Sequence, residues 1–264
     1  MILSPSPWWS TIPSLGAALG YALLALRPTR LTAGGVNALM LLVWLLHGLS
    51  MASGHAVRPV RFGFAPALSA TAWLVFTLYA IESRLYPGLR VRAAMAGLGA
   101  ATVLLALLFP GTAQAPTASP WLPLHWWLGI ISYGLLAAAV LHAWLAQRAE
   151  ASIRQARAEE LGLPLLALER LTFRLVGSAF VLLSATLVAG WWFSEWLLPQ
   201  GWTWNHKTVF TLLSWLTLAV LLWGRRTQGW RGRMAFNMLY AAAALLLLGY
   251  VGSRFVLEVI LARA

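Results

Sequence analysis

The 264-residue sequence has no cysteine and no aspartate; its seven acidic side chains are all glutamate. Lack of cysteine excludes disulfides, thiolate metal sites, c-type haem attachment and cysteine nucleophiles within this sequence. Charged residues make up only 10% and hydrophobic residues 60%, whereas soluble proteins average roughly 25% charged and 45–50% apolar. So much apolar surface needs a solvent other than water. No GxSxG, HExxH, Walker A or GxGxxG motif occurs, so hydrolysis, zinc and nucleotide chemistry are not indicated. With so few acids, proton pumping is also disfavoured, and the sequence predicts a protein that is not an enzyme.

What the chain does have is long apolar runs. A hydrocarbon core about 30 Å thick takes about 20 helical residues to cross. Eight such runs are present: Trp9–Leu26, Ala33–Met51, Phe64–Ile81, Val91–Phe109, Leu122–Ala146, Leu171–Trp192, Lys207–Gly224 and Ala235–Leu257. None shows period-2 alternation, so they predict an all-α polytopic membrane bundle in one integral-membrane domain, 1–264. Net charge is +12, and 14 of the 19 basic residues flank the linkers between runs 1–2, 3–4, 5–6 and 7–8. By the positive-inside rule that side is cytoplasmic and both termini lie outside. The basic residues therefore set orientation and do not form a nucleic-acid face. The first 26 residues contain no Lys or Arg, so the first run lacks a signal peptide's basic n-region and reads as a retained helix. Gln147–Arg170 reads as an interfacial helix broken around Gly162 and Pro164, and Pro110–Pro120 as a plain polar loop. No internal repeat is visible.

Ten of the 16 Trp fall on or near the outer side in this topology, five of them within Trp191–Trp204. An aromatic belt would be more symmetric, so this cluster reads as an apolar platform carrying Trp196, Trp202 and Trp204. Four of the five His share that side: His125 and His206 at helix starts, His47 within a span and His55 in the loop beyond it. Neutral imidazole is a common axial ligand of haem iron, and the helix starts would hold His125 and His206 firmly; interfacial anchoring is the plainer alternative. His47, as an ionisable group inside the membrane, is a candidate functional residue or a satisfied structural one. His142, near the inner side, lies 17 residues from His125, about 25 Å along a helix, so the two cannot share an iron.

Trp202-Thr-Trp-Asn-His-Lys-Thr resembles the tryptophan-rich WxWDPKE signature of the cytochrome c assembly family, the CcsA- and CcmC-like haem-handling membrane proteins. A helix and the sequence Gly229-Trp-Arg-Gly-Arg follow, as in that family, and WLPLHWWLGIISYGLL at Trp121–Leu136 resembles its WLxxHVxxxxxSY stretch. The likeness spans a core of 121–250 and is nearest to the YpjD- and HemX-like branch. Asn205 stands at the signature's Asp, His206 at its Pro and Thr208 at its Glu; Lys207 is kept. The family's late outer His has no counterpart. The resemblance implies haem, as haem b, held or handed over at the outer (periplasmic) face, with His125 at a ligand position and His206 replacing the missing partner. Trp196, Trp202, Trp204 and His47 join them as candidate cofactor-binding residues, with Arg58, Arg61 and Lys207 as partners for the propionates. The implied partners are the lipid bilayer and other cytochrome-assembly or haem-pathway proteins. Two alternatives remain: a membrane scaffold or regulator of haem synthesis without bound haem, and a small-solute transporter using His47.

Overall fold

Backbone polar groups in hydrocarbon must find partners within the protein, which favours uninterrupted helices. A computed structural model describes residues 8–26, 32–56, 61–85, 91–113, 121–155, 165–192 and 204–261. The principal helices are α1 (Trp8–Leu26), α2 (Ala33–Ala56), α3 (Phe64–Leu85), α4 (Arg92–Leu108), α5 (Trp121–Arg154), α6 (Leu165–Trp192), α7 (His206–Gln228) and α8 (Gly232–Leu247). The chain is an all-α polytopic membrane bundle. Among the described residues, six segments are long and apolar enough to cross a membrane: five within α2, α3, α5, α6 and α7, and Gly232–Ile260, which begins as α8; α1 and α4 provide shorter apolar helices.

The helices form two compact units, Met1–Pro116 with Arg254–Ala264, and Thr117–Ser253. In the first, α1 packs on α2 and α4, and α3 packs on α2 and α4. In the second, α5 packs on α6 and α8, and α7 packs on α6 and α8. Each unit thus repeats the same ring of four sequential helices, a likeness that shared apolar composition concealed.

Several helices outrun their apolar cores. His55 lies in the last turn of α2 instead of a loop, and the polar stretch after the fifth run is largely absorbed by α5, which continues to Arg154, and by α6, which starts at Leu165. Residues 156–164, where a break is expected, lie outside the described residues. The supposed polar loop after α4 contributes a strand: β1 (Arg61–Phe62) pairs antiparallel with β2 (Thr112–Ala113), Phe62 opposite Thr112. The C-terminal segment returns to this corner. Phe255 meets Phe64 edge-to-face at 5.4 Å, and Arg254 reaches both Thr112 and Glu258.

The GWRGR stretch is a helix-to-helix turn. Gly229 ends α7 at φ 68°, a left-handed conformation suited to glycine, and its N–H donates to the Gly224 carbonyl. Trp230 packs directly over Gly224, where a Cβ would collide with its ring. Arg225 of α7 pairs with Glu169 of α6 at 2.9 Å and sits 3.5 Å above the Phe173 ring.

Candidate functional site

α5 carries an inward stripe at helical spacing. Ser132, Leu136, Ala139 and Ala143 are all buried against neighbouring helices. Stepping back from Ser132 by three and then four residues gives Gly129 and His125, so His125 tops this stripe and faces the interior of the second unit. The Thr186 backbone on α6 hydrogen-bonds with the imidazole. Its Nδ1 is buried and has no hydrogen-bond partner among the described residues. A buried polar atom without a partner costs about 1–3 kcal/mol and calls for an explanation, such as a ligand or an ion. A buried imidazole nitrogen without a protein partner is the atom a ligating histidine offers.

Beneath His125, Tyr133 spans the bundle and donates its hydroxyl proton to the Leu246 carbonyl at 2.7 Å. Leu246 lies two residues before a π-helical turn, Leu248–Gly252. A side chain competing for a helical carbonyl is a recognised source of such irregularity. Tyr133 stands in the SY of the upstream motif, but nothing in the sequence signals its role, because its partner is 113 residues away.

His206 is the first residue of α7 and is exposed. Its helical stripe runs through Val209, Leu213, Leu216 and Val220, all exposed apolar residues, so His206 lies on the bilayer-facing side of α7. α7 reaches the rest of its unit through other faces: Ser214 donates to the Ala242 carbonyl of α8 and Trp215 to Ser184 of α6. Moreover, α5 and α7 are separated in the ring by α6 and α8. The structure does not bring His125 and His206 together.

His47 belongs to the first unit and is fully buried. The Tyr21 hydroxyl lies 3.0 Å from its Nδ1 and the Ser69 hydroxyl 2.8 Å from its Nε2. Both ring nitrogens are engaged in a bridge joining α1, α2 and α3, and neither is open to a metal. Among the described residues, no three His, Cys, Asp or Glu side chains form a metal-binding cluster.

Trp196 and Trp202 lie outside the described residues, as does Arg58. Arg61 lies in β1 and Lys207 in the first turn of α7. Trp204 is 74% exposed and joins Trp191 and Trp215 around an apolar cleft of about 490 Å³ between α6 and α7, with Ser184, Leu187, Val188 and Leu212 completing it. At about 100° per residue, Thr186 lies roughly 150° round α6 from that cleft. The indole surface and His125 therefore occupy different faces of α6. Next to Trp204, Asn205 accepts a hydrogen bond from the Thr208 backbone N–H at 3.1 Å and caps α7. The signature's Asp has been replaced by another good N-cap residue.

Residues 34–261 match the family described as Cytochrome C assembly protein. The chain belongs to that family. Within it, the inner membrane protein YpjD of Escherichia coli K12 is 33% identical over 148 residues, 54% of each chain. An uncharacterized 28.8 kDa protein of Azospirillum brasilense is 33% identical over 147 residues, 53% of each. The cytochrome c biogenesis protein CcsA of Gloeobacter violaceus is 29% identical over 93 residues, 34% of this chain and 27% of its own. The chain spans about half the length of the first two of these relatives. No solved structure matches it.

Proposed function

We propose that this member of the cytochrome c assembly family is a non-catalytic bacterial inner-membrane protein that binds haem at its periplasmic face through His125. The supporting observation is the imidazole at the top of the α5 stripe, with its Nδ1 buried and unpartnered. Family membership, which includes the CcsA-named relatives, supports haem as the ligand. Haem b suits a sequence without cysteine, since it is held by coordination alone. Haem, when bound, would supply an iron centre that the His125 imidazole would hold. The chain's part is to hold the ring, through the α5 backbone and Thr186, and to surround it with apolar helices.

His206 is not needed as the second protein ligand. A single protein ligand suits a protein that holds haem and passes it to other cytochrome-assembly proteins, because fewer bonds must break on release. The test is haem titration of the detergent-purified protein, followed by the Soret band. The parent and His206→Ala should bind one haem per chain, while His125→Ala should lose stoichiometric binding. A parent that binds no haem would instead support a scaffold or regulator of haem synthesis.

A further inference from the structure

A second cleft, of about 380 Å³, runs between α2 and α3 in the first unit. Asn37, Leu41 and Trp44 line one wall and Thr77, Ile81 and Arg84 the other. Both stripes step by three and four residues, and the helices are consecutive, so the walls run antiparallel. At one end the Trp44 indole N–H donates to Thr77 Oγ1 at 2.8 Å, and Trp44 stacks on Trp73 at 5.0 Å, giving the slot a firm floor. Seven residues away on each helix, about 10 Å, Asn37 and Arg84 form the mouth. Between these ends the lining is apolar, with Met40 and Ala80 beside Leu41 and Ile81.

The mouth is cationic for several independent reasons. Arg84 is exposed and forms no ion pair among the described residues. Glu82 falls on the far side of α3 by helical register. The first turn of α2 has no acidic residue, so its N-terminal dipole is unopposed there. An apolar slot closed at depth and positive at its opening matches an amphiphile with an anionic head.

We propose that this cleft is a specific site for an anionic phospholipid, with one acyl chain lying along Leu41 and Ile81 and the phosphate at Arg84 and Asn37. Basic recesses between membrane helices recognise such headgroups, and each Arg near the surface contributes about fivefold in affinity. The site is separate from the haem proposal and stands or falls independently of it.

The test is native mass spectrometry of the full chain equilibrated in detergent with equal amounts of phosphatidylglycerol and phosphatidylcholine. The parent should retain one phosphatidylglycerol in preference to phosphatidylcholine, and excess inorganic phosphate should not displace it. Arg84→Gln should lower retention roughly fivefold, whereas Arg226→Gln, an exposed arginine on α7, should leave it unchanged. Ala80→Trp, which fills the slot, should abolish retention; circular dichroism reports whether each variant folds, and Arg84→Gln decides the matter if Ala80→Trp does not. Equal retention of the two lipids by the parent means a non-selective lipid coat and overturns the proposal. Parent-like retention by folded Arg84→Gln, or displacement by inorganic phosphate, overturns it too.

Discussion

Three histidines of similar promise in the sequence have different surroundings in the structure. His125 faces an interior with one nitrogen open, His206 faces outward, and His47 is saturated by Tyr21 and Ser69. The sequence could place His125, because a helix start and a recognisable motif are local features. It could not separate His47 from a ligand, because the groups that satisfy it lie 26 and 22 residues away on other helices. Likewise, the exchange of the signature's Asp for Asn205 looks like a loss until the cap on Thr208 is seen. Asn205→Ala should destabilise the folded protein by about 1 kcal/mol, whereas Asn205→Asp should be nearly neutral. Thermal unfolding in detergent checks both; equal losses from the two variants would contradict the capping role.

Apolar runs gave the helices reliably, because length and composition suffice for a membrane span. Their ends were less legible. α5 and α6 carry Arg and Glu beyond the apolar stretch, where i,i+4 pairing such as Glu150 with Arg154 favours further helix. The β1–β2 pairing was hidden altogether, since two-residue strands leave no periodic pattern and the partners are about fifty positions apart. The π-helical turn at Leu248–Gly252 leaves no periodic pattern either, and the tyrosine hydroxyl that meets Leu246 just before it comes from another helix. Tyr133→Phe removes the hydrogen bond to Leu246 and should cost about 1 kcal/mol. It should also speed amide hydrogen exchange around Leu246–Gly252; unchanged exchange there would mean that the tyrosine does not shape the turn.

At the scale of the whole molecule, the chain is two four-helix rings, and the family match, residues 34–261, runs through both. Basic residues predict orientation, and the absence of cysteine makes that prediction easy to check, because any introduced thiol is unique. In spheroplasts, Ser4→Cys and Asn205→Cys should react with a membrane-impermeant maleimide, while Gln228→Cys should react only after lysis. The reverse pattern would invert the proposed topology and place His125 on the cytoplasmic side. The central claim concerns one imidazole and one haem, and the most direct measurement is the coordination state of the haem-loaded protein, read by electron paramagnetic resonance alongside haem stoichiometry. One haem per chain with a single-histidine, high-spin signal, retained in His206→Ala and lost in His125→Ala, is the predicted result. A low-spin bis-histidine signal in the parent that disappears in His206→Ala, or any stoichiometric signal that survives His125→Ala, would contradict it.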